Sequence, residues 1–288
     1  MLFAGFSKQA ALSGAACLFV AAALAACAAP DRFGGSRQAV LDWSQPRGFA
    51  ELPDPPVAPG RFRLLTLLRG GGSEFASIYI EGDGAAWPAP YQPPRDPTPA
   101  RPVALALAAA DPAATVVYLG RPCQYLDTAP LQACDSAYWT ARRFAPEVIA
   151  AYDAAIDRIK RGTGARRIML FGYSGGGVIA ALLAARRGDV ERLVTVAAPL
   201  ATGEWTAWHD VTPLAASLDP ADPGENGRLP RGVHFVGGQD RIVPLPVVER
   251  FVRRRGGRIE LIPDFDHECC WSRDWALLLG RAKVGEAK

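Results

Sequence analysis

Histidine is scarce in this chain of 288 residues, with three in all, at positions 209, 234 and 267. Chemistry that needs an imidazole is therefore confined to three places. Net charge is small as well, +3 from 32 basic and 29 acidic side chains. The basic residues are scattered, and none form a run interleaved with stacking aromatics, so nucleic acid binding has no support. No internal repeat divides the chain, and a single α/β domain can use nearly all of its length. The six cysteines include an adjacent pair, Cys269 and Cys270, that lacks the spacing of zinc ligands. Neither a metal nor a cofactor is expected. What the chain does have is an apolar content of 49 % against 21 % charged residues, ordinary for a globular protein with a sizeable core.

The first 26 residues carry one charge, Lys8, followed by an apolar and small-residue run that ends Leu24-Ala25-Ala26-Cys27. These are the n-region and h-region of an export signal. The last four residues resemble the lipobox of bacterial lipoproteins, whose signal is cut before a cysteine that is then acylated. That resemblance implies lipid on Cys27 and attachment to a membrane of the bacterial cell envelope. Ala28, in place of an aspartate, implies the periplasmic face of the outer membrane. Two alternatives stay open: ordinary signal cleavage, giving a soluble periplasmic or secreted protein, and an uncleaved anchor, for which the run is slightly short. With Cys17 removed and Cys27 lipidated, four cysteines remain, and an exported compartment permits disulfides. Cys123 and Cys134 are the expected pair, since they flank a loop, QYLDTAPLQA, that a bond would rigidify.

Residues 27–60, rich in Pro and Gly, are expected to be a tether ending in a first strand or loop, with the folded domain spanning 61–288. Phe62 to Leu68 and Ala76 to Ile80 are strand-like runs separated by Arg69-Gly70-Gly71-Gly72-Ser73, suited to a hairpin-like turn. Prolines from Ala86 to Pro102 exclude regular structure and suggest a stiff surface loop. After that, helix-like and strand-like segments alternate. Val103 to Ala109, a long amphipathic stretch from Ser136 to Lys160, Gly176 to Arg186, Pro246 to Arg254 and Arg273 to Ala282 read as helices. Thr115 to Leu119, Ile168 to Phe171, Leu193 to Ala197, Val233 to Val236 and Ile259 to Ile262 read as strands. Such alternation implies βαβ units and a mainly parallel sheet covered on both faces, with ligands at the carboxyl ends of its strands.

Arg167 to Ala185, RRIMLFGYSGGGVIAALLA, runs strand, sharp turn, helix, with Ser174 between Gly172-Tyr173 and Gly175-Gly176. A serine hydroxyl attacks poorly until an imidazole takes its proton, and the imidazole needs an acid to orient it and stabilise its charge. His267 lies in a loop after a strand, whereas His234 lies within a strand and His209 in the connection before Arg231. His267 is therefore the candidate base. Asp240, in Gly237-Gly238-Gln239-Asp240-Arg241-Ile242-Val243-Pro244, also follows a strand, and capping of the next helix would explain it equally well. Asp264 and Asp266 are rivals that sit awkwardly near His267.

The elbow GYSGG, the turn GGQDRIVP and the loop DFDHE, in that order, resemble the α/β-hydrolase superfamily from about Arg61 to Lys283. The resemblance implies an α/β-hydrolase fold with a small cap, a Ser174, Asp240, His267 triad, and an oxyanion hole from the amides of Gly175 and Asp83. Many members have His-Gly where this chain has Glu81-Gly82. It further implies a carboxylesterase-like serine hydrolase acting on a small ester or acyl substrate. A peptidase or acyltransferase using the same residues, or a non-catalytic envelope lipoprotein on the same fold, stays open. Tyr173, Arg121, Trp205 and Trp208 are candidates for touching substrate, against plain packing for the indoles and a surface ion pair for Arg121. The oligomeric state is not readable from the chain.

Overall fold

A computed structural model describes residues 33–53, 62–85, 92–222, 227 and 229–283. The expected signal segment, with Cys17 and Cys27, lies outside them. Residues from Phe33 onward belong to one compact unit.

Eight strands among the described residues form one sheet: β1 (Ala50–Leu52), β2 (Thr66–Gly70), β3 (Phe75–Ile80), β4 (Thr115–Leu119), β5 (Arg167–Tyr173), β6 (Val190–Val196), β7 (Gly232–Gly237) and β8 (Arg258–Ile262). Their order is β1-β2-β4-β3-β5-β6-β7-β8. β2 runs antiparallel to β1 and β4, and every pairing from β4 onward is parallel. Successive residues of a strand face opposite sides, so the central strands supply two cores at once. Ile78, Leu170, Leu193 and Val236 enter one core, with α4 (Pro146–Thr163), α5 (Gly175–Ala184) and α7 (Leu245–Arg255). Their neighbours Tyr79, Phe171, Val194 and Phe235 enter the other, with α1 (Arg37–Ser44), α2 (Val103–Ala110) and α8 (Trp275–Lys283). In that second core Tyr79 stacks on Phe171 at 4.4 Å and donates from its hydroxyl to Asp111 at 2.8 Å. The indole of Trp275 donates back to Tyr79 at 3.0 Å, which docks the closing helix on the sheet. The small helices α3 (Thr128–Gln132) and α6 (Thr202–Trp208) lie in connections.

Four expectations change. The segment 33–53 is not a tether, and the domain does not begin at Arg61: α1 is capped by Ser36, whose Oγ accepts from the amide of Ala39 at 3.1 Å, and β1 forms the sheet edge. Val40 and Phe49 are buried there, so this segment gains more from burial than from extension. β2 and β3 are not hairpin partners, because β4 lies between them. From Ala76 to Ile80 β3 is buried, and it satisfies its backbone by parallel pairing on each side. The stretch Ser136 to Lys160 is broken, with a 3-10 turn at Ser136–Trp139 and α4 starting only at Pro146. Proline disfavours helical backbone in the residue before it, and Ala145 is extended, at φ −62° and ψ 154°. Finally, the irregular stretch before α2 is exposed at Arg95, Asp96, Ala100 and Arg101 but buried from Pro97 to Pro99, so it is not a surface loop throughout.

Cys123 and Cys134 form the expected disulfide, with Cα atoms 5.9 Å apart, and Cys269 is bonded to Cys270. Among the described residues no helix is long and apolar enough to cross a membrane.

Candidate active site

β5 passes into α5 through a single residue, Ser174, held at φ 49° and ψ −126°. This is the left-handed side of backbone space, which a residue with a side chain occupies only when its surroundings enforce it. The enforcement is visible. Ser174 donates its amide to Val196 O and accepts from Gly177 N, each at 2.9 Å. A Cβ on Gly172 would overlap the Gly176 carbonyl, and one on Gly176 would overlap the carbonyl of Ile80. Strand, turn and helix thus approach more closely than side chains allow. Gly175 occupies the first helical position, where the N–H has no partner within the helix.

Asp240 and His267 come from the loops after β7 and β8. The imidazole Nε2 lies 3.1 Å from Ser174 Oγ, and Nδ1 lies 2.9 Å from Asp240 Oδ2. An ionised carboxylate only accepts, so Nδ1 carries the proton and Nε2 turns its lone pair to the hydroxyl. The other oxygen of Asp240 accepts from the amides of Ile242 and Val243, both at 2.8 Å. The turn and the pairing with histidine are therefore one arrangement, not alternatives. His267 O accepts from Tyr173 Oη at 3.1 Å and from Trp271 Nε1 at 3.0 Å, which fixes the loop. Asp266 is occupied with the amides of Glu268 and Cys269. His234 is buried, with Nδ1 2.9 Å from Thr195 Oγ1, and burial pushes its pKa down to about 3. His209 Nε2 lies 2.8 Å from Ile242 O.

The four expected substrate contacts separate. Tyr173 is buried against His267, at 5.4 Å between rings. Arg121 is 3 % exposed and pairs with Asp83, whose side chain is 30 % exposed, so the ion pair is half-buried rather than a surface bridge. Its Nη1 lies 2.7 Å from Asp83 Oδ1, and Arg143 Nη1 lies 2.8 Å from Asp83 Oδ2. Removal from water would raise the Asp83 carboxyl, but the Arg143 and Arg121 guanidiniums hold it below its ordinary value. Trp205 in α6 donates to Ile242 O at 2.7 Å, tying the cap to the aspartate turn. Trp208 is 56 % exposed. An open cleft of about 800 Å³ is lined by Gly238 to Ile242 and Asp266 to Glu268.

Glu81 is buried just past the end of β3. Its Oε1 accepts from Gly82 N at 2.8 Å and Ala104 N at 3.4 Å. Burial raises its pKa to about 7, against the opposing pull of those backbone donors. Arg143, Gln124 and this role of Glu81 were not read from the sequence. The one available signal was that Arg121-Pro122-Cys123-Gln124 directly follows a strand.

No family model and no curated protein matches the sequence. Solved structures do match. An esterase from Pyrococcus furiosus superposes with a TM-score of 0.56 at 14 % identity, over 83 % of this chain and 93 % of that one. Est1E from Butyrivibrio proteoclasticus, with ferulic acid bound, gives 0.51 at 14 % identity over 77 % of this chain and 93 % of that one. A puromycin hydrolase gives 0.57 at 12 % identity, over 81 % of this chain but 38 % of that one. At such identities the likeness is one of fold, and the fold is that of the α/β hydrolases.

Glu81 predicts how stability depends on pH. Its folded pKa lies above the unfolded value, so between pH about 4.5 and 7 the native state keeps a proton that the unfolded chain has released. Stability should therefore fall as pH rises through that window, by about 3 kcal/mol from this group. Urea unfolding of wild type and Glu81→Gln from pH 4.5 to 8 should show the decline in wild type and its reduction in the variant. Parallel curves would contradict the assignment.

Proposed function

We propose that the protein is an exported serine hydrolase, carboxylesterase-like, that cleaves an ester or related acyl substrate through an acyl-serine intermediate. The observation that carries this reading is the run of hydroxyl, imidazole and buried carboxylate at 3.1 and 2.9 Å, on a strained turn at the carboxyl edge of a parallel sheet. His267 takes the Ser174 proton as Oγ attacks the substrate carbonyl, and Asp240 stabilises the imidazolium. The carbonyl oxygen becomes an oxyanion facing the amides of Gly175 and Asp83. Collapse expels the alcohol, which takes its proton from His267. Water, deprotonated by the same ring, attacks the acyl-serine and releases the acid. Trp208, exposed on the cap, is the indole available to grip an acyl group.

Ser174→Ala and His267→Ala should each lower turnover of an activated ester by about 10⁴ or more, and Asp240→Asn by somewhat less. The double variant Ser174→Ala/His267→Ala should be about as slow as either single one, because the two act in one proton transfer. Multiplicative losses, or loss of turnover in His209→Gln with His267→Ala intact, would sink the mechanism.

For location the reading is a lipid-anchored envelope protein, supported by the Leu24-Ala25-Ala26-Cys27 resemblance. Metabolic labelling with a palmitate analogue should mark the wild type and not Cys27→Ser. Equal labelling of both would remove the anchor.

A further inference from the structure

In the proposed mechanism the second oxyanion donor is the N–H of one peptide bond, between Gly82 and Asp83. That peptide is held through its carbonyl. Its carbonyl, on Gly82, accepts from Gln124 Nε2 at 3.1 Å. Gln124 is 1 % exposed, and its Oε1 accepts from the amide of Arg121 at 3.0 Å, while Nε2 also reaches Pro97 O at 3.3 Å. This network allows one orientation of the side-chain amide, with the NH₂ toward Gly82. In a planar trans peptide the C=O and N–H point in opposite directions. A donor seated on the carbonyl therefore aims the N–H of Asp83 away from Gln124. The loop runs past the nucleophile here, since a Cβ on Gly82 would come within 3.3 Å of Ser174 Cβ.

Beyond the peptide, the Asp83 side chain is gripped by Arg121 and Arg143, one guanidinium on each oxygen, at 2.7 and 2.8 Å. The grip also answers an electrostatic difficulty. A Cβ on Gly175 would overlap Asp83 Oδ1, so this carboxylate lies against the residue that supplies the first oxyanion donor. An unpaired negative charge there would oppose a developing oxyanion, and two cations on it remove that opposition. Arg121 in turn donates from Nη2 to Arg143 O at 2.8 Å, which joins the parts into one frame.

We propose that Gln124, together with the Arg121–Asp83–Arg143 cluster, is a positioning device that directs and electrostatically shields the Asp83 N–H of the oxyanion hole. It touches no substrate and acts through the peptide it holds. The inference rests on the reading of Ser174 as nucleophile. An N–H aimed before the reaction begins stabilises the transition state more than the bound substrate, so its loss appears in kcat and not in KM.

The test uses the full-length protein, an activated ester and a boronic acid that forms a tetrahedral adduct on serine. Gln124→Met removes the donor at similar length, and Arg143→Gln releases one grip at a side chain that is 12 % exposed and less prone to disturb folding. Gln124→Met should lower kcat by about 10- to 100-fold with KM within twofold, and weaken the boronic acid by a similar factor. Arg143→Gln should do the same at about 3- to 10-fold. If Gln124→Met does not fold, Arg143→Gln decides alone. A folded Arg143→Gln with kcat and boronate affinity both within twofold of wild type overturns the proposal, whatever its Tm, because a purely structural contact would move Tm alone. Failure of the underlying reading looks different: wild type itself would neither turn over ester nor bind the boronic acid.

Discussion

Ser174 sits in a backbone conformation that costs a residue with a side chain about 1–3 kcal/mol, and the sheet around it leaves no other choice. β5 delivers the residue, and α5 leaves at once in a direction set by close contacts at Gly172 and Gly176. A bulkier residue at either place would push the helix from the strand and relax the turn. The hydroxyl would then lose its place 3.1 Å from the imidazole. The rest of the site is arranged around this fixed point. The loops after β3, β4, β7 and β8 all reach the same edge of the sheet because these strands run parallel to β5. Each contributes one part: a peptide, the frame that holds it, a carboxylate and an imidazole.

Charge near Ser174 is balanced locally. Asp240 has amides on one oxygen and His267 on the other, so neither oxygen is left without a donor. Asp83 is paired with two guanidiniums. Glu81 is treated differently. It has amide donors but no cation among its bonding partners, and burial lifts it to about 7.

The sheet and the meeting of Ser174, Asp240 and His267 were legible in the sequence because local patterns mark them. Strands and helices alternate, each candidate residue follows a strand, and one serine stands between glycines on a turn. Apart from the break before Pro146, a local effect of proline, the failures are non-local. Nothing in Arg69 to Ser73 announces that a strand from beyond Ala110 enters between β2 and β3. Tyr173 lies beside Ser174 in sequence, yet strand alternation sends its ring against His267, where its hydroxyl holds a carbonyl. Arg121 stands out by its place after a strand, but Arg143, which shares Asp83 with it, is separated from that residue by 60 positions. Gln124 is invisible for the same reason: a neutral side chain acting on a backbone carbonyl 42 positions away leaves no local pattern.

The central claim is that Ser174 is the nucleophile, poised by His267. The most direct measurement is intact-protein mass spectrometry after brief exposure to a fluorophosphonate, with peptide mapping of the adduct. The account predicts one adduct per chain, on the peptide containing Ser174, no adduct in Ser174→Ala, and labelling of His267→Ala slowed by orders of magnitude. An unmodified wild type, or an adduct on another residue that persists in Ser174→Ala, would contradict it.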